Sequence, residues 1–433
     1  MITMEKIISL CKRRGFIYPG SEIYGGLANT YDYGPLGAEL KNNIKAAWWK
    51  YFVQDRDDMV GIDGGVILKA DVWEASGHIK NFKDPLVECK KCHKRFRPDK
   101  LEDASKCPEC GGGLTEEKLF SGLFKTVIGP VEKEGVMTYL RPETAQNIFV
   151  NYKNILNSTN VKIPFGIGQM GKCFRNEITT GNFIFRTIEF EIMELEYFIS
   201  PEDNWKEIFK EWAKYIHKFT EKIGLDDKKL HDVEIPKEDL AHYSKRTIDM
   251  YYEYPFGKDE LWAIAYRTDH DLSGHQKASG QNMEYSDEKT GKKYVPHVLE
   301  PTFGFDRTLL AVLVEAYQEE KLDNGGTRVV LKLHPKMAPY KVAVFPLLRN
   351  KPKLVKKAKE IFNDLKTDFV CEFDDNGNIG KRYRRQDEIG TPYCLTVDFD
   401  SLDKKDVTVR DRDTMKQERV KIKELKNYLK DKI

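Results

Sequence analysis

Between residues 38 and 53, in AELKNNIKAAWWKYFV, apolar side chains recur at helical spacing while Asn43, Lys45 and Lys50 fall on the wet side. Runs at 163–175, 183–198 and 295–305 are alternating or continuously apolar and bounded by turn signals, which predicts strands. PEDNWKEIFKEWAKYIHKFTEKIG, residues 201–224, predicts one long helix with Pro201 near its start and Gly224 at its end. The pattern restarts at HPKMAPYKVAVFPL, residues 334–347, where two prolines precede a fresh strand, KVAVFPL. A basic helix (KPKLVKKAKEIFNDLK), a strand (FVCEF), a turn (DDNGN), a helix and a strand follow. That order predicts a separate α/β unit of about 95 residues. No internal repeat or low-complexity tract interrupts the chain.

Length and composition sharpen this picture. A chain of 433 residues suggests two or three domains, and 40% apolar with 32% charged residues is ordinary for a globular protein. No apolar stretch approaches the roughly 20 residues that span a bilayer. In MITMEKIISLCKRRG the basic residues follow the apolar run, the reverse of a secretory signal, so the cytoplasm is the expected compartment. The net charge of +2 is uneven: residues 335–433 hold 24 Lys+Arg against 17 Asp+Glu, and the remainder holds 47 against 52. A basic terminal module suits a polyanionic partner; a solvated lysine-rich surface accounts for the charge equally well.

Four of the eight cysteines fall within 22 residues, as Cys89, Cys92, Cys107 and Cys110 in CKKCHKRFRPDKLEDASKCPEC. The C-x2-C-x14-C-x2-C spacing predicts two knuckles placing four thiolates around Zn²⁺. A site with all four positions filled leaves no room for a reacting water, so the expected role is structural. Gly111, Gly112 and Gly113 add to the ribbon-like reading.

Three further stretches carry chemistry. They are YDYGPLGAELKNNIKAAWWKYFV (31–53), GKCFRNEITTGNFIFRTIEFEIMELEYF (171–198) and VLEPTFGFDRTLLAVLVEAY (298–317). In that order they resemble the three signature motifs of class II aminoacyl-tRNA synthetases. YGGLANTYDYGPLG, WEASGH, RPETAQ and AYRTDHDL narrow the resemblance to the homodimeric glycyl-tRNA synthetases, over residues 5 to about 425. The resemblance implies an α+β and α/β multidomain fold. Residues 1–335 would form an antiparallel-sheet catalytic domain, with a zinc-ribbon insertion at 85–115 and a helical insertion at 200–258. Residues 336–433 would form an α/β anticodon-binding domain.

It also implies ligation of glycine to tRNA(Gly) with ATP as substrate. Catalytic roles fall on Arg175, Glu177 and Arg307. Arg175 would bridge the amino-acid carboxylate and the α-phosphate, a bidentate task suited to a planar fork. Glu177 would contact the adenine amino group, with the ring stacked on Phe190 and Arg307 on its other face. Nucleotide contacts extend to Asn176, Phe185, Arg186, Thr187, Ile188 and Glu189. On the opposite side they extend to Glu260, Leu261, Gly304, Phe305 and Asp306. Ile188 stands where the family usually carries arginine, and Arg186 is the candidate substitute. Mg²⁺ would neutralise the triphosphate, with Glu260, joined by Glu300, as candidate ligands.

For glycine, selectivity must combine charge recognition with exclusion of anything larger. Glu143, Glu194 and Glu300 match ammonium-binding positions, and Thr302 and Gly304 would line the Cα side. Neighbouring candidates are Ile192, Met193, Pro301 and Phe303, with Arg97 from the zinc insertion; Glu191 reads equally as a solvated strand residue. Lys381, Arg382, Arg384 and Arg385 form the densest basic cluster of the terminal module and are the tRNA candidates. A homodimer with Pro35 at the subunit boundary, and no membrane partner, complete the expectation. The alternatives are another class II synthetase sharing the anticodon module and a non-catalytic relative; the latter typically loses the ATP arginines.

Overall fold

The computed structural model describes every residue except 1, 99, 100, 102, 104, 132, 133, 179, 180, 323 and 324. Its centre is a seven-stranded sheet. In chain order the strands are β1 (Met59–Gly61), β2 (Phe165–Phe174), β3 (Glu189–Ile199), β4 (Leu230–Glu234), β5 (Arg246–Tyr254), β6 (Gly257–Thr268) and β7 (His297–Gly304). Across the sheet they run β4-β5-β6-β7-β3-β2-β1, all pairs antiparallel except β1 with β2.

The strands predicted at 163–175 and 295–305 form as expected. The run at 183–198 does not pair until Glu189, because Asn182 and Phe183 take positive φ and Phe183–Phe185 close a 3₁₀ turn. Residues 200–258, expected as a helical insertion, give a helix and two strands that extend the main sheet. Helix α1 is Met4–Arg14 and α2 Pro35–Trp49, with proline at the first helical position where its missing N–H costs nothing. Then come α3 (Ala145–Ser158), α4 (Trp205–Ile223), α5 (His270–Ser279) and α6 (Phe305–Ala316). Gly224 ends α4 in the left-handed conformation at φ +77°.

Side chains of a strand point alternately to the two faces of its sheet. On one face Met193, Trp262 and Phe303 pack with Trp48, Phe52 and Phe219 under α2, α4 and α6. Phe303 sits 4.8 Å from Phe52 and 5.2 Å from Trp262, ring centre to ring centre. The other face is graded along its length. Phe165, Phe198 and Val298 lie under Phe149 of α3 and Leu272 of α5. Glu194, Glu196 and Glu300 follow, and beyond them the strands are left uncovered.

The C-terminal module pairs five strands: β8 (Val342–Pro346), β9 (Cys371–Phe373), β10 (Tyr393–Val397), β11 (Asp406–Asp411) and β12 (Gln417–Lys421), in the order β9-β8-β10-β11-β12 across the sheet. Helix α7 (Pro352–Leu365) buries Leu354, Ala358, Ile361 and Leu365 against it, and α8 (Ile379–Ile389) carries Asp387. Asp387 is fully buried and binds three guanidinium groups: Arg410 at 2.7 Å, Arg328 at 3.1 Å and Arg384 at 3.4 Å. Arg328 belongs to the strand Thr327–Leu331 that follows α6, so this carboxylate ties the sheet domain to the C-terminal module.

Two stability predictions follow from this packing. Arg141, buried, is pinned by the carbonyls of Lys172 and Gly64. A Cβ on Gly171 would meet its Nη2 at 1.9 Å. Gly171→Ala should therefore lower unfolding free energy by about 1–3 kcal/mol in a denaturant titration. Asp387→Ala strands buried guanidinium groups and should cost about 3–5 kcal/mol, read as a fall in melting temperature.

Candidate active site

The uncovered end of the sheet forms a cleft of about 180 Å³. Its floor is Phe190 and Ile192 of β3 with Thr302 and Gly304 of β7; its walls are Arg175, Glu177, Arg186 and Thr187 on one side, Glu260 and Arg307 on the other. Phe185 closes one end, and Glu191 and Asp306 also reach the lining. The two arginines singled out from sequence thus share one cavity.

Each guanidinium is held on a ring. Arg175 lies 5.3 Å from the Phe190 centroid and 5.6 Å from that of Phe82, and its Nε donates to the Pro142 carbonyl at 3.1 Å. Neither of its Nη atoms has a partner among the described residues, which leaves their four N–H donors for a ligand. Arg307 lies 4.4 Å from the Phe185 centroid, and its Nη1 reaches both the carboxylate and the carbonyl of Glu260 at 3.0 Å. Burial alone would push the Glu260 carboxyl up, but Arg307, with Arg175 and Arg186 behind it, holds it below the usual range. Glu177 pairs with Arg186 at 3.6 Å.

Strand alternation, a bulge in β6 at Leu261 and the start of α6 at Phe305 remove several sequence candidates from the cleft. Leu261, Met193, Phe303 and Phe305 are fully buried in the aromatic core on the far face, and Pro301 is buried between two residues of the site face. Glu191 is a case of divided allegiance: its carboxylate is bound by Lys41 at 2.8 Å and Lys45 at 2.5 Å, both from α2. Burial raises this acid, and the two lysines outweigh it and keep it ionised. Its backbone N–H donates to Asp306 at 2.7 Å, whose other oxygen accepts from Tyr33. Glu189 pairs with Lys172, Asn176 donates its N–H to Gly122, and Ile188 lies off the lining, so Phe185, Arg186 and Thr187 are the predicted nucleotide contacts of 185–189 that reach the cleft. Arg97 pairs with Asp84 outside it.

Behind Thr302 lies a buried acidic layer. Thr302 donates to Glu194 Oε1 at 3.2 Å, and Glu194 Oε2 accepts from the hydroxyl and N–H of Thr144. Glu143 accepts from His78 Nε2 at 3.0 Å and from Gln146 at 3.1 Å. Glu300 accepts from Arg267 at 2.6 Å, and Arg267 also binds Asp271 at 2.8 Å. Glu196 has no hydrogen-bond partner for either oxygen among the described residues; burial and the neighbouring Glu300 push it well above the usual carboxylate range, and burial pushes Glu300 up likewise. This arrangement corrects the pairing of Glu260 with Glu300 as cation ligands. Ala265 is the register partner of Glu300, so Glu260 lies five residues along β6, on the order of 16 Å away. Sequence reasoning gave no role to His78, Gln146, Arg267 and Asp271, although WEASGH, RPETAQ and YRTDHDL carry them.

In the cysteine insertion, Sγ atoms of Cys89, Cys92, Cys107 and Cys110 lie within 4.8 Å of one another, with Cys89–Cys110 at 3.5 Å and Cys92–Cys107 at 3.6 Å. A tetrahedron with bonds of about 2.3 Å has edges near 3.8 Å, so four soft donors already surround a cation-sized centre. Backbone N–H groups of Cys92 and Lys91 point at Cys89 Sγ and lower its thiol to about 6, which favours the thiolate. The basic cluster of α8 divides. Lys381, Arg384 and Arg385 line an open groove with Arg14, whereas Arg382 is buried and donates to the carbonyls of Asp375 and Gly377. Arg382 is thus a structural latch and not a surface cation.

Two family models match the chain. The tRNA synthetase class II core domain (G, H, P, S and T) matches residues 129–317, and the anticodon binding domain matches 341–432. Curated relatives named glycine--tRNA ligase match from end to end. The one from Clostridium kluyveri is 51% identical over 100% of this chain and 98% of its own length. That of Caldanaerobacter subterraneus subsp. tengcongensis is 51% identical over 100% and 99%. That of Alkaliphilus oremlandii is 50% identical over 100% and 98%. A full-length likeness of this degree, on a sheet whose uncovered end joins two ring-mounted arginines to a buried acidic layer, settles the family: the chain belongs to the glycine--tRNA ligases, class II aminoacyl-tRNA synthetases with a C-terminal anticodon-binding domain.

Proposed function

We propose that the chain joins glycine to ATP as glycyl-adenylate and then passes the glycyl group to the 3′ end of tRNA(Gly). The observation that carries this is the adjacency of opposite charges: Arg175 is anchored on the carbonyl of Pro142, and the next residue, Glu143, heads the acidic layer. An amino acid laid across that step has its carboxylate on the guanidinium and its ammonium on the acids. With Thr302 and Gly304 below it, the Cα has little room for a methyl group. Burying an ammonium is costly without such partners, and a layer rich in carboxylates supplies them.

In this reading the adenine lies on Phe190 beside Glu177, and Arg307 covers it. The glycine carboxylate attacks the α-phosphorus in line, forming the acyl–oxygen–phosphorus bond as the bond to pyrophosphate breaks. Arg175, bidentate to both reactants, stabilises the charge that develops. The terminal hydroxyl of tRNA then attacks the acyl carbon and AMP leaves. Glu260, at the rim and already ion-paired, would hold Mg²⁺ through one oxygen with the phosphates supplying the rest, a donor set suited to that ion, which would neutralise triphosphate charge. The four thiolates would hold Zn²⁺ in a structural role. Lys381, Arg384 and Arg385 would take tRNA phosphates. A homodimer agrees with the exposed apolar side chains of Ile23, Tyr24 and Leu27 ahead of α2.

Exchange of labelled pyrophosphate into ATP tests this directly. It should require glycine and fail with alanine or serine; a folded protein showing no exchange would instead be a binding module. Arg175→Lys keeps the charge and loses the fork, and should lower exchange about 10²- to 10³-fold. Removal of metal with a chelator should unfold the cysteine insertion, seen as new protease cleavage between residues 85 and 115, with zinc released in a ratio of about one per chain.

A further inference from the structure

We infer that Ser76 and His78 are positioning residues that aim the Glu143 carboxylate at the substrate ammonium. The inference rests on the glycine reading above and gives a role to the WEASGH segment. Ser76 Oγ lies 2.8 Å from His78 Nδ1, and His78 Nε2 lies 3.0 Å from Glu143 Oε2. All three side chains are buried, at 3%, 3% and 7% exposure, so this is no surface pairing.

The local backbone is built for that direction. Gly77 stands at φ +81°, a conformation that side chains rarely adopt, and a Cβ there would meet Asn81 and His242 at 3.1 Å. The chain therefore turns sharply between Ser76 and His78 and folds one onto the other. The imidazole is wedged between Trp73, edge-on with centroids 5.3 Å apart, and Phe82 at 5.9 Å. A ring so confined has one orientation. The Glu143 carboxylate can only accept, so the ring proton sits on Nε2, and on the neutral ring Nδ1 then accepts from the Ser76 hydroxyl in preference to the longer 3.4 Å contact of that hydroxyl with the Trp73 carbonyl.

The second oxygen of Glu143 is fixed from the other side. Gln146 donates to Oε1 at 3.1 Å and to Asp271 at 2.8 Å, and its own oxygen is 2.8 Å from His275. Asp271 in turn binds Arg267, which reaches Glu300. Each Glu143 oxygen thus accepts one protein N–H and keeps one lone pair free, and the two free lone pairs have set directions. Without the Nε2–H the carboxylate could rotate, or take up a proton and present a donor where the ammonium needs an acceptor. In the glycine reading ATP lies on Phe190, Glu177 and Arg307 and not on these groups, so the loss should fall on glycine alone.

The test is steady-state pyrophosphate exchange on the full chain, varying glycine and ATP separately. His78→Ala should raise the glycine KM roughly 10- to 100-fold, the size of a lost hydrogen bond to a charged group, with ATP KM within about twofold of the parent. His78→Gln places an N–H donor near the Nε2 position and should recover most of that loss. His78→Asn reaches only the Nδ1 position and should not. Ser76→Ala, a smaller change suited to a folded protein even if His78→Ala is unstable, should raise glycine KM about threefold to tenfold. An unchanged glycine KM in Ser76→Ala and His78→Ala, equal damage in His78→Gln and His78→Asn, or a parallel rise in ATP KM would overturn the assignment. Failure of the parent protein to exchange with glycine would instead sink the glycine reading itself.

Discussion

Antiparallel pairing of β2, β3, β7 and β6 is the constraint from which everything else follows. Once those strands are in register, the two-residue repeat of a strand decides which side chains meet ligand and which meet the core. In FEIMELE the odd-numbered Glu191, Met193 and Leu195 face α2 and the aromatic core. The even-numbered Phe190, Ile192, Glu194 and Glu196 face the site. A slip of one residue would bury the ligand-facing acids among tryptophans and expose Met193. The aromatic contacts of Phe303 with Phe52 and Trp262 stabilise the fold and, by the same act, hold Thr302 and Gly304 under the cleft.

Charge is distributed with equal economy. Around Thr302, Glu143, Glu194, Glu300 and Asp271 face one guanidinium, that of Arg267. Their repulsion is relieved by hydrogen bonds: His78 and Gln146 donate to Glu143, and Thr144 donates twice to Glu194. What is left is a layer of four carboxyl groups gathered about one guanidinium, held dry behind Thr302.

Much of this was readable beforehand, in the parts where one local rule decides. The helix and strand periods, the cysteine spacing and the arginines in motif context each specify their outcome locally. Contiguous motif stretches did not translate into contiguous contacts, because Met193 and Phe303 alternate away from the cleft, Leu261 sits at a bulge of β6 facing the core, and Phe305 opens α6. Arg382 looked like its neighbours Lys381, Arg384 and Arg385 in a run of four cations. Only helix phase and the carbonyls of the preceding turn turn it inward. The Ser76–His78–Glu143 chain and the Arg267 hub are joined through contacts such as Gln146 with Asp271, 125 positions apart, and no periodicity encodes such a distance.

Lys41 and Lys45 add one more consequence. Both sit one helical turn apart on α2 and clasp the same carboxylate on β3. A two-point grip of this kind resists rotation of the helix as well as its sliding, so α2 and the strand that floors the cleft behave as a single lever. A load on the outer side of α2 meets β3 through two ion pairs, at the residue that stands between Phe190 and Ile192.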